Sequence, residues 1–203
     1  MNPNRHLNEP TKKFSAPIAG FNGLEDVGRE GTLLDIGSGY GRLLDYLADK
    51  GFRHVIGLES NYRLLEKGNF PVICGRGEQA PFKDESFDAV FSIGVLSYIL
   101  EDSNRIGFFS ESRRLLKEEG MLFLSCFMIS RDSYHRKKYA EGQKKFGIYG
   151  LFESDSGGIF RHSKEDELRA LLHNFRILRW KSRAFTTMND REASGIIIEA
   201  QKL

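Results

Sequence analysis

Three glycines at alternate positions are the residues of this sequence best arranged to hold a ligand. Gly37, Gly39 and Gly41 lie between a short apolar run that predicts a buried strand and a segment that predicts a helix. Glycine permits a tight turn and lets a ligand approach the backbone without meeting a Cβ. A dinucleotide fold requires G-x-G-x-x-G, but here Arg42 occupies the place of the third glycine, and no Gly-Lys-Ser/Thr of a phosphate loop follows. The loop therefore favours an adenosine ligand that lacks a pyrophosphate.

Glu59 is the second candidate ligand-binding residue. It lies eighteen residues after Gly41, directly after the second predicted strand. A carboxylate at that place can accept hydrogen bonds from both hydroxyls of a ribose. A single glutamate there would usually be an exposed loop acid, but its position after this glycine loop favours ribose binding.

The elements that must position these residues alternate between strands and helices. Strands are predicted at 32–36, 54–58, 71–74, 87–93 and 121–127, with helices at 42–50, 61–67 and 104–117. This alternation indicates βαβ units and a parallel sheet. A further helix opens at 163–166, and two last strands at 175–185 and 195–201 are separated by too few residues for a parallel crossover. We therefore expect the last two strands to pair antiparallel.

Composition excludes several classes of protein. The 203 residues favour one domain, and 30 basic against 28 acidic residues give a net charge of +2, which is not typical of a general polyanion binder. Cys74 and Cys126 form neither a disulfide framework nor a CxxC cluster, and no signal peptide or membrane span is recognisable. We expect a reduced, cytoplasmic protein without a membrane partner. It would have an N-terminal arm at 1–30 and one domain at 31–203, with an insertion at about 128–162.

Several segments, in order along the chain, resemble the motifs of the class I S-adenosylmethionine-dependent methyltransferases. They are the glycine loop at 33–42, the strand and acid at 54–59, the segments 75–82 and 86–90, the loop at 92–98 and the turn at 115–122. The resemblance covers about residues 30–127 and, less closely, the last two strands. It implies an α/β fold, a Rossmann-like three-layer sandwich whose seven-stranded sheet is mostly parallel with a C-terminal antiparallel strand. It also implies S-adenosyl-L-methionine as the methyl donor.

The resemblance assigns residues to this cofactor. It implies that Asp35 and the backbone of Gly37 and Gly39 hold its amino-acid end. Glu59 would hold the ribose, and Ile93 and Gly94 would lie under the cofactor at the mouth of the pocket. We expect the complete set of cofactor contacts to be Asp35, Gly37, Ser38, Gly39, Gly41, Glu59, Gly77, Glu78, Ile93 and Gly94.

One position departs from the family pattern. The family often has an acid after the third strand that accepts a hydrogen bond from the adenine amino group, and here that position is Arg76. Arginine has no acceptor atom, so Glu78 or a backbone carbonyl would have to make this contact. Arg76 itself would be solvated or would cover the adenine face.

Two residues are candidates to orient or deprotonate the methyl acceptor. Tyr98 lies just beyond the fourth strand, and His162 lies at the end of the long insertion. Packing roles for both stay open, Tyr98 as a half-buried aromatic and His162 as the neighbour of a helix N-terminus. The five histidines are isolated in sequence, so no metal site is predicted.

Two nucleic-acid chemistries are disfavoured. Cys126 lies in an apolar run, which predicts a buried packing residue rather than the nucleophile of a cytosine C5 methyltransferase. Residues 92–95 do not resemble the Asp/Asn-Pro-Pro-Tyr loop of enzymes that methylate the adenine amino group.

The insertion at 128–162 is expected to decide which acceptor binds. It is polar and glycine-rich without a clear period, which is typical of a lid or binding loop. Within it, residues 131–146 carry six basic and two acidic side chains, net +4, with Tyr134, Tyr139 and Phe146 interleaved. Such a stretch can contact phosphates and stack on bases, or it can form the solvated face of a helix. We expect a small-molecule acceptor. The alternatives are an RNA methyltransferase using residues 131–145 and a non-catalytic cofactor-binding partner subunit.

Overall fold

The described residues form a seven-stranded sheet. The structure, a computed structural model, describes residues 20–67, 70–187 and 191–203. The strands of the sheet are β1 (Thr32–Ile36), β2 (His54–Glu59), β3 (Val72–Cys74), β4 (Phe87–Ile93), β5 (Leu116–Phe127), β8 (Phe175–Thr186) and β9 (Glu192–Lys202). Their order across the sheet is β3-β2-β1-β4-β5-β9-β8. Strand β9 runs antiparallel to both β5 and β8, whereas all the other neighbouring strands pair parallel. The predicted fold class and the predicted antiparallel last pair are confirmed.

The described part of the chain contains four α-helices. They are α1 (Arg42–Asp49), α2 (Asp102–Leu115), α3 (Ser133–Phe146) and α4 (Glu165–Leu171), and short 3-10 helices span Gly23–Asp26, Tyr62–Lys67 and Val95–Tyr98. Most bounds lie within two or three residues of the predicted ones. The fifth strand differs more, because it begins at Leu116 rather than at residue 121. Its register against β4 shifts after Phe87, and Glu119 adopts a left-handed φ of 60° in this irregular part.

Strand β1, which lies between β2 and β4 in the sheet, is buried on both faces. Leu33 and Leu34 point to opposite sides of the sheet and are both fully buried. Leu33 belongs to the core that includes Leu44 of α1, and Leu34 belongs to the core that includes Phe108 of α2. A parallel strand covered on both faces requires such a continuous apolar run. The result is a three-layer sandwich.

The strand register brings the candidate site together at one edge of the sheet. Ile36, the last residue of β1, pairs with Leu58 of β2 and with Ser92 of β4. The carboxyl ends of these neighbouring strands therefore lie side by side. Ligands of open α/β sheets bind in the crevice outside these ends.

The insertion contains regular structure that the sequence did not reveal. Residues 128–162 hold the helix α3 and a two-stranded hairpin, β6 (Leu151–Glu153) and β7 (Ile159–Arg161). The buried residues of α3 are His135, Tyr139 and Gly142, a helical face that is not made of aliphatic side chains. A Cβ at Gly142 would overlap the backbone of Leu151, so this glycine lets the hairpin pack directly on the helix. The segment without a clear period therefore contains the helix that the sequence left open as an alternative, together with a hairpin that the sequence did not predict.

The ends of the chain are described only in part. Of the predicted arm at 1–30, residues 1–19 lie outside the described residues, and the rest contacts the sheet. Phe21 and Leu24 are buried, and the backbone amides of Asn22 and Gly23 donate to the carboxylate of Glu199. Gly68, which follows the predicted helix at 61–67, also lies outside the described residues. Within the described ranges, no helix combines the length and apolarity needed to cross a membrane.

Candidate cofactor and acceptor site

The glycine loop leaves β1 in a conformation that glycine favours. Gly37, Gly39 and Gly41 have φ angles of 76°, 55° and 78°, all in the left-handed region. The backbone amides of Gly37 and Ser38 donate to the carbonyl oxygen of Leu58, at 2.7 Å and 3.2 Å. These two bonds fix the loop against the end of β2. The predicted loop is therefore ordered by its neighbouring strand.

Glu59 lies directly against this loop. Its Oε2 accepts from the backbone amide of Gly39 at 2.8 Å, and its Oε1 accepts from that of Asn61 at 2.8 Å. The side chain is buried. The structure thus brings together the acid and the glycines that the sequence singled out, although they are twenty residues apart.

Asp35 places a second carboxyl group at the same edge. Its burial raises its pKa to about 8, with Arg42 opposing the shift and the negative charge of Glu59 adding to it. Two neighbouring carboxyl groups favour a ligand that carries positive charge, because such a ligand stabilises both in their ionised form.

The glycine loop is packed at Gly37 and open at Gly39. A Cβ at Gly37 would overlap the side chain of Val95, so the loop touches the turn that follows β4. A Cβ at Gly39 would meet only the carbonyl oxygen of Gly37 at 4.0 Å among the described residues. The hydroxyl of Ser38 is buried without a hydrogen-bond partner in the described part of the chain. The loop therefore combines close packing on one side with backbone that a ligand can approach on the other.

The turn after β3 carries the remaining candidates for adenine recognition. Gly77 packs near Ile36, and Glu78 is mostly buried next to it. Arg76, the residue that departs from the family pattern, is largely exposed, and its Nη2 lies 3.3 Å from Oε1 of Glu78. This ion pair joins Arg76 to Glu78, the side chain expected from the sequence to accept from the adenine amino group.

The turn after β4 lies between the glycine loop and a small cavity. Ile93 is half-buried, and Gly94 has a φ of 78° and donates its backbone N–H to the carbonyl oxygen of Ser125 at 2.7 Å. Gly94 begins the short 3-10 helix Val95–Tyr98 and lines a cavity of about 100 Å³. The glycine loop and this cavity are thus adjacent through Val95 and Gly94.

Aromatic rings form most of the wall of this cavity. Its aromatic residues are Tyr98, Phe127, Tyr134, His135, Phe152, Phe160 and His162, and its other residues are Gly94, Ser97, Ser154, Ser156, Thr187 and Arg191. Both residues predicted to act on the acceptor, Tyr98 and His162, therefore face one cavity. Tyr98 is 61% exposed and its ring packs edge-on against Phe160, with centroids 5.3 Å apart. Partial desolvation raises the pKa of its phenol, which stays protonated near neutral pH.

His162 is buried and held in one orientation. Its ring stacks on Phe127 with centroids 5.2 Å apart, and its Nδ1 lies 2.7 Å from the Tyr139 hydroxyl. That hydroxyl accepts from the backbone amide of Ser130, so its own proton is directed to Nδ1 of His162. Burial lowers the pKa of His162 to about 3, and the positive charge of Arg105 adds to this shift. The ring is therefore neutral with its proton on Nε2, which suits a hydrogen-bond donor better than a base.

Comparison with known proteins identifies the family. A family model described as "Methyltransferase domain" matches residues 34–124. A solved S-adenosylmethionine-dependent methyltransferase from Methanosarcina mazei is 25% identical, with a TM-score of 0.83 over 90% of this chain and 98% of that chain. The part of the chain that this family model matches is a methyltransferase domain, and the chain has the fold of the class I S-adenosylmethionine-dependent methyltransferases. Its cofactor is S-adenosylmethionine, which the glycine loop and its two carboxyl groups fit.

Curated relatives match a shorter part of this methyltransferase. An uncharacterised protein of Methanocaldococcus jannaschii is 33% identical over 123 residues, which are 59% of this chain and 55% of that protein. The human protein named "probable tRNA methyltransferase 9B" is 30% identical over 115 residues, 54% of this chain and 24% of that protein. The methyltransferase thus spans about half of the first relative's length and about a quarter of the second's.

Sequence reasoning missed His135 of the methyltransferase. This histidine looked isolated in sequence, yet its ring lies 5.4 Å from that of His162 and lines the same cavity. Asp132 caps helix α3 and accepts from His135 at both its backbone amide and its ring Nδ1, at 3.0 Å and 2.6 Å. The spacing Asp-x-x-His at a helix start was the available signal, because an N-cap acid reaches the third residue of its helix.

Cys126 of the methyltransferase has the packing role that the sequence predicted. It is fully buried in the core beneath β5. Burial raises the pKa of its thiol to about 12, with Arg105 opposing the shift. Since the thiolate is the reactive form of cysteine, this residue is unsuited to nucleophilic catalysis.

Proposed function

We propose that this methyltransferase transfers the methyl group to a small molecule bound in the aromatic cavity beside Gly94. The observation that carries the proposal is the adjacency of this cavity to the glycine loop through Gly94 and Val95. A cavity of about 100 Å³ with aromatic walls suits a compact, flat acceptor rather than a polymer backbone. Enclosing both reactants in fixed positions is the main means by which a methyltransferase accelerates its reaction.

The cofactor site of this proposal rests on ten residues. Asp35 pairs with the ammonium group of S-adenosylmethionine, and Glu59 accepts hydrogen bonds from its ribose. Glu78 accepts from the adenine amino group, in place of the acid that Arg76 replaces. The others contact the cofactor through backbone or packing: Gly37, Ser38, Gly39, Gly41, Gly77, Ile93 and Gly94. The cofactor supplies an electrophilic methyl group on a positively charged sulfur.

Tyr98 and His162 orient the acceptor in this proposal. The Tyr98 phenol is exposed at the cavity and stays protonated, so it can donate a hydrogen bond. His162, neutral with its proton on Nε2, offers a second donor. The insertion at 128–162 supplies the cavity walls opposite the sheet, which makes it the segment that selects the acceptor.

Filling the cavity tests the proposal. Ser154 lies in the cavity wall, and Ser154→Phe adds a ring to a space that holds only a small acceptor. We expect the variant to lose transfer of labelled methyl groups to a panel of aromatic hydroxyl and heteroaromatic N–H compounds, with unchanged affinity for S-adenosylhomocysteine. Ser182→Phe, on the exposed face of β8, is the matched control. Wild-type turnover in Ser154→Phe would contradict the proposed site.

Transfer to tRNA is the second candidate function. It draws on the similarity to the human protein named for tRNA methylation and on the basic residues of α3. Two of these basic residues already have acidic partners, because Lys138 pairs with Asp155 at 2.8 Å and Lys145 with Glu153 at 2.6 Å. This pairing leaves less free positive charge for phosphates and favours the first candidate. Tyr139 is fully buried and is therefore not accessible for stacking on a base.

Neutralising the basic face of α3 distinguishes the two candidates. Replacing Lys137, Lys138, Lys144 and Lys145 with glutamine should leave small-molecule methylation largely intact. Transfer of labelled methyl groups to bulk tRNA is measured in parallel. If the wild-type enzyme methylates tRNA and the variant does not, the second candidate is favoured instead.

A further inference from the structure

We propose that His135, oriented by Asp132, accepts the proton that the methyl acceptor loses during transfer. The inference deepens the proposed function and rests on it, because it concerns the same cavity. It also defines the acceptor as a small planar molecule with an ionisable hydroxyl or ring N–H.

Asp132 fixes the ring of His135 from the start of helix α3. Its Oδ1 accepts from the backbone amide of His135 at 3.0 Å, and its Oδ2 lies 2.6 Å from the ring Nδ1. The ring is only 3% exposed and packs against Phe152 and Tyr139, yet it lines the cavity. A buried ring held at two points keeps one orientation toward whatever binds there.

The pairing also decides which nitrogen of His135 is free. Burial opposes ionisation of Asp132, but the hydrogen bonds from His135 outweigh it and lower the pKa of this carboxyl group. An ionised carboxylate only accepts hydrogen bonds, so Nδ1 of His135 carries the proton. In the neutral ring, Nε2 then holds the lone pair, on the side of the ring away from Asp132.

His162 has the complementary arrangement. Its Nδ1 accepts from Tyr139, so its proton lies on Nε2. The two imidazoles, 5.4 Å apart and tilted by 37°, therefore offer the cavity one acceptor and one donor nitrogen. An acceptor molecule with a hydroxyl or ring N–H next to a hydrogen-bond acceptor would use both.

The charged and titratable groups around His135 suit this role. From its own helix it meets Asp132, Tyr134 and Tyr139, and from the end of β7 it meets His162. Arg191, a further residue of the cavity wall, lies over the Tyr134 ring at 4.1 Å. Within the described residues no carboxylate lines the cavity itself, which disfavours a cationic acceptor.

The proton balance of the step is simple. The lone pair of the acceptor's oxygen or nitrogen forms a bond to the methyl carbon while the carbon–sulfur bond breaks, and that electron pair stays on sulfur. The acceptor's proton passes to Nε2 of His135, and the Asp132 carboxylate stabilises the resulting imidazolium. The proton then leaves to solvent.

Two variants and a control test the proton transfer. We expect His135→Gln to lower kcat about a hundredfold or more, the usual contribution of a general base. Asp132→Asn keeps the helix cap but removes the charge, and we expect a loss of about tenfold or more. Glu141→Gln, an exposed acid on the same helix, should have no effect. The dissociation constant for S-adenosylhomocysteine should be unchanged in all three.

Two probe acceptors separate a base from a structural residue. Phenol holds its proton far more tightly than 4-nitrophenol, so His135→Gln should impair methylation of phenol much more than that of 4-nitrophenol. Equal losses with both probes would overturn the proposal, because a misfolded cavity would affect them alike.

A measurement on the free enzyme decides the inference independently. Long-range nitrogen–proton NMR correlations should show the proton on Nδ1 of His135 and on Nε2 of His162, with the His135 pattern altered in Asp132→Asn. A proton on Nε2 of His135 would overturn the inference. A wild-type enzyme that methylates neither probe, nor any compound of the panel, would instead count against the proposed function, while the tautomer result would still decide the inference.

Discussion

The Tyr139 hydroxyl lies 2.7 Å from Nδ1 of His162 and joins helix α3 to the residue that follows the hairpin. The same hydroxyl accepts from the backbone amide of Ser130, just after β5. One phenol thus ties three parts of the insertion together and sets the protonated nitrogen of His162. The contact links packing of the insertion to the chemistry of the cavity.

Removing this hydroxyl should weaken the fold measurably. Tyr139→Phe leaves the buried Ser130 amide and His162 Nδ1 without their shared partner, which should cost about 1–3 kcal/mol of unfolding free energy. Urea denaturation measures this loss. Tyr149→Phe removes the hydroxyl from the ring that packs against Tyr139 and is the matched control. It should lower the free energy of unfolding by less. Equal stability of Tyr139→Phe and wild type would show that the hydroxyl is not a buried link.

The sequence predicted the cofactor side of the site because that side is encoded locally. The glycine loop, Asp35 and Glu59 follow strands whose apolar runs are easy to recognise, and parallel pairing then brings those strand ends together. The acceptor side could not be predicted in this way. The buried face of α3 consists of His135, Tyr139 and Gly142, and its burial depends on a hairpin that comes later in the chain.

Glu59 should be needed for cofactor affinity. Glu59→Gln keeps an oxygen for the Gly39 amide but removes the negative charge that would accept from the ribose hydroxyls. We expect the dissociation constant for S-adenosylhomocysteine to rise by about tenfold to a hundredfold, the scale of a charged hydrogen bond. Isothermal titration calorimetry measures it. Glu30→Gln, at an exposed acid, is the control and should bind S-adenosylhomocysteine as tightly as wild type. Equal affinity of the two variants would show that Glu59 does not contact the ribose.

Asp35 should make the free enzyme less stable as pH rises. Its folded-state pKa of about 8 exceeds the reference value of 3.8, so between these values the folded state holds a proton that the unfolded state has released. The free energy of unfolding therefore falls across this interval and levels off above it. Asp35→Asn should reduce this decline, by an amount on the order of a few kcal/mol between about pH 5 and pH 8.

Urea denaturation at those two pH values, without cofactor, checks the Asp35 prediction. Asp49→Asn, at an exposed acid of helix α1, is the comparison and should decline as wild type does. An Asp35→Asn variant with the wild-type decline would mean that the carboxyl group is ionised in the free enzyme.

Arg105 should be essential to the fold around the cavity. It is 1% exposed, and its guanidinium donates to the carbonyl oxygens of Leu96, Ile99 and Arg161 and to the carboxylate of Glu167. Arg105→Met removes these buried hydrogen bonds and should lower the free energy of unfolding by about 3–5 kcal/mol. Arg53→Met, at an exposed ion pair, should change it by less than about 1 kcal/mol. Similar losses in both variants would contradict a buried hydrogen-bonding role.

The two cysteines should differ sharply in reactivity. Cys74 is exposed at the end of β3, whereas Cys126 is buried and its thiol has a pKa raised to about 12. A thiol reagent such as Ellman's should therefore modify only Cys74 in the native enzyme and both residues in denaturant. Cys126→Ala should retain methyl transfer, since the thiol takes no part in the chemistry. If the reagent instead modified Cys126 rapidly in the native enzyme and abolished activity, the result would favour a cysteine nucleophile and therefore cytosine C5 methylation.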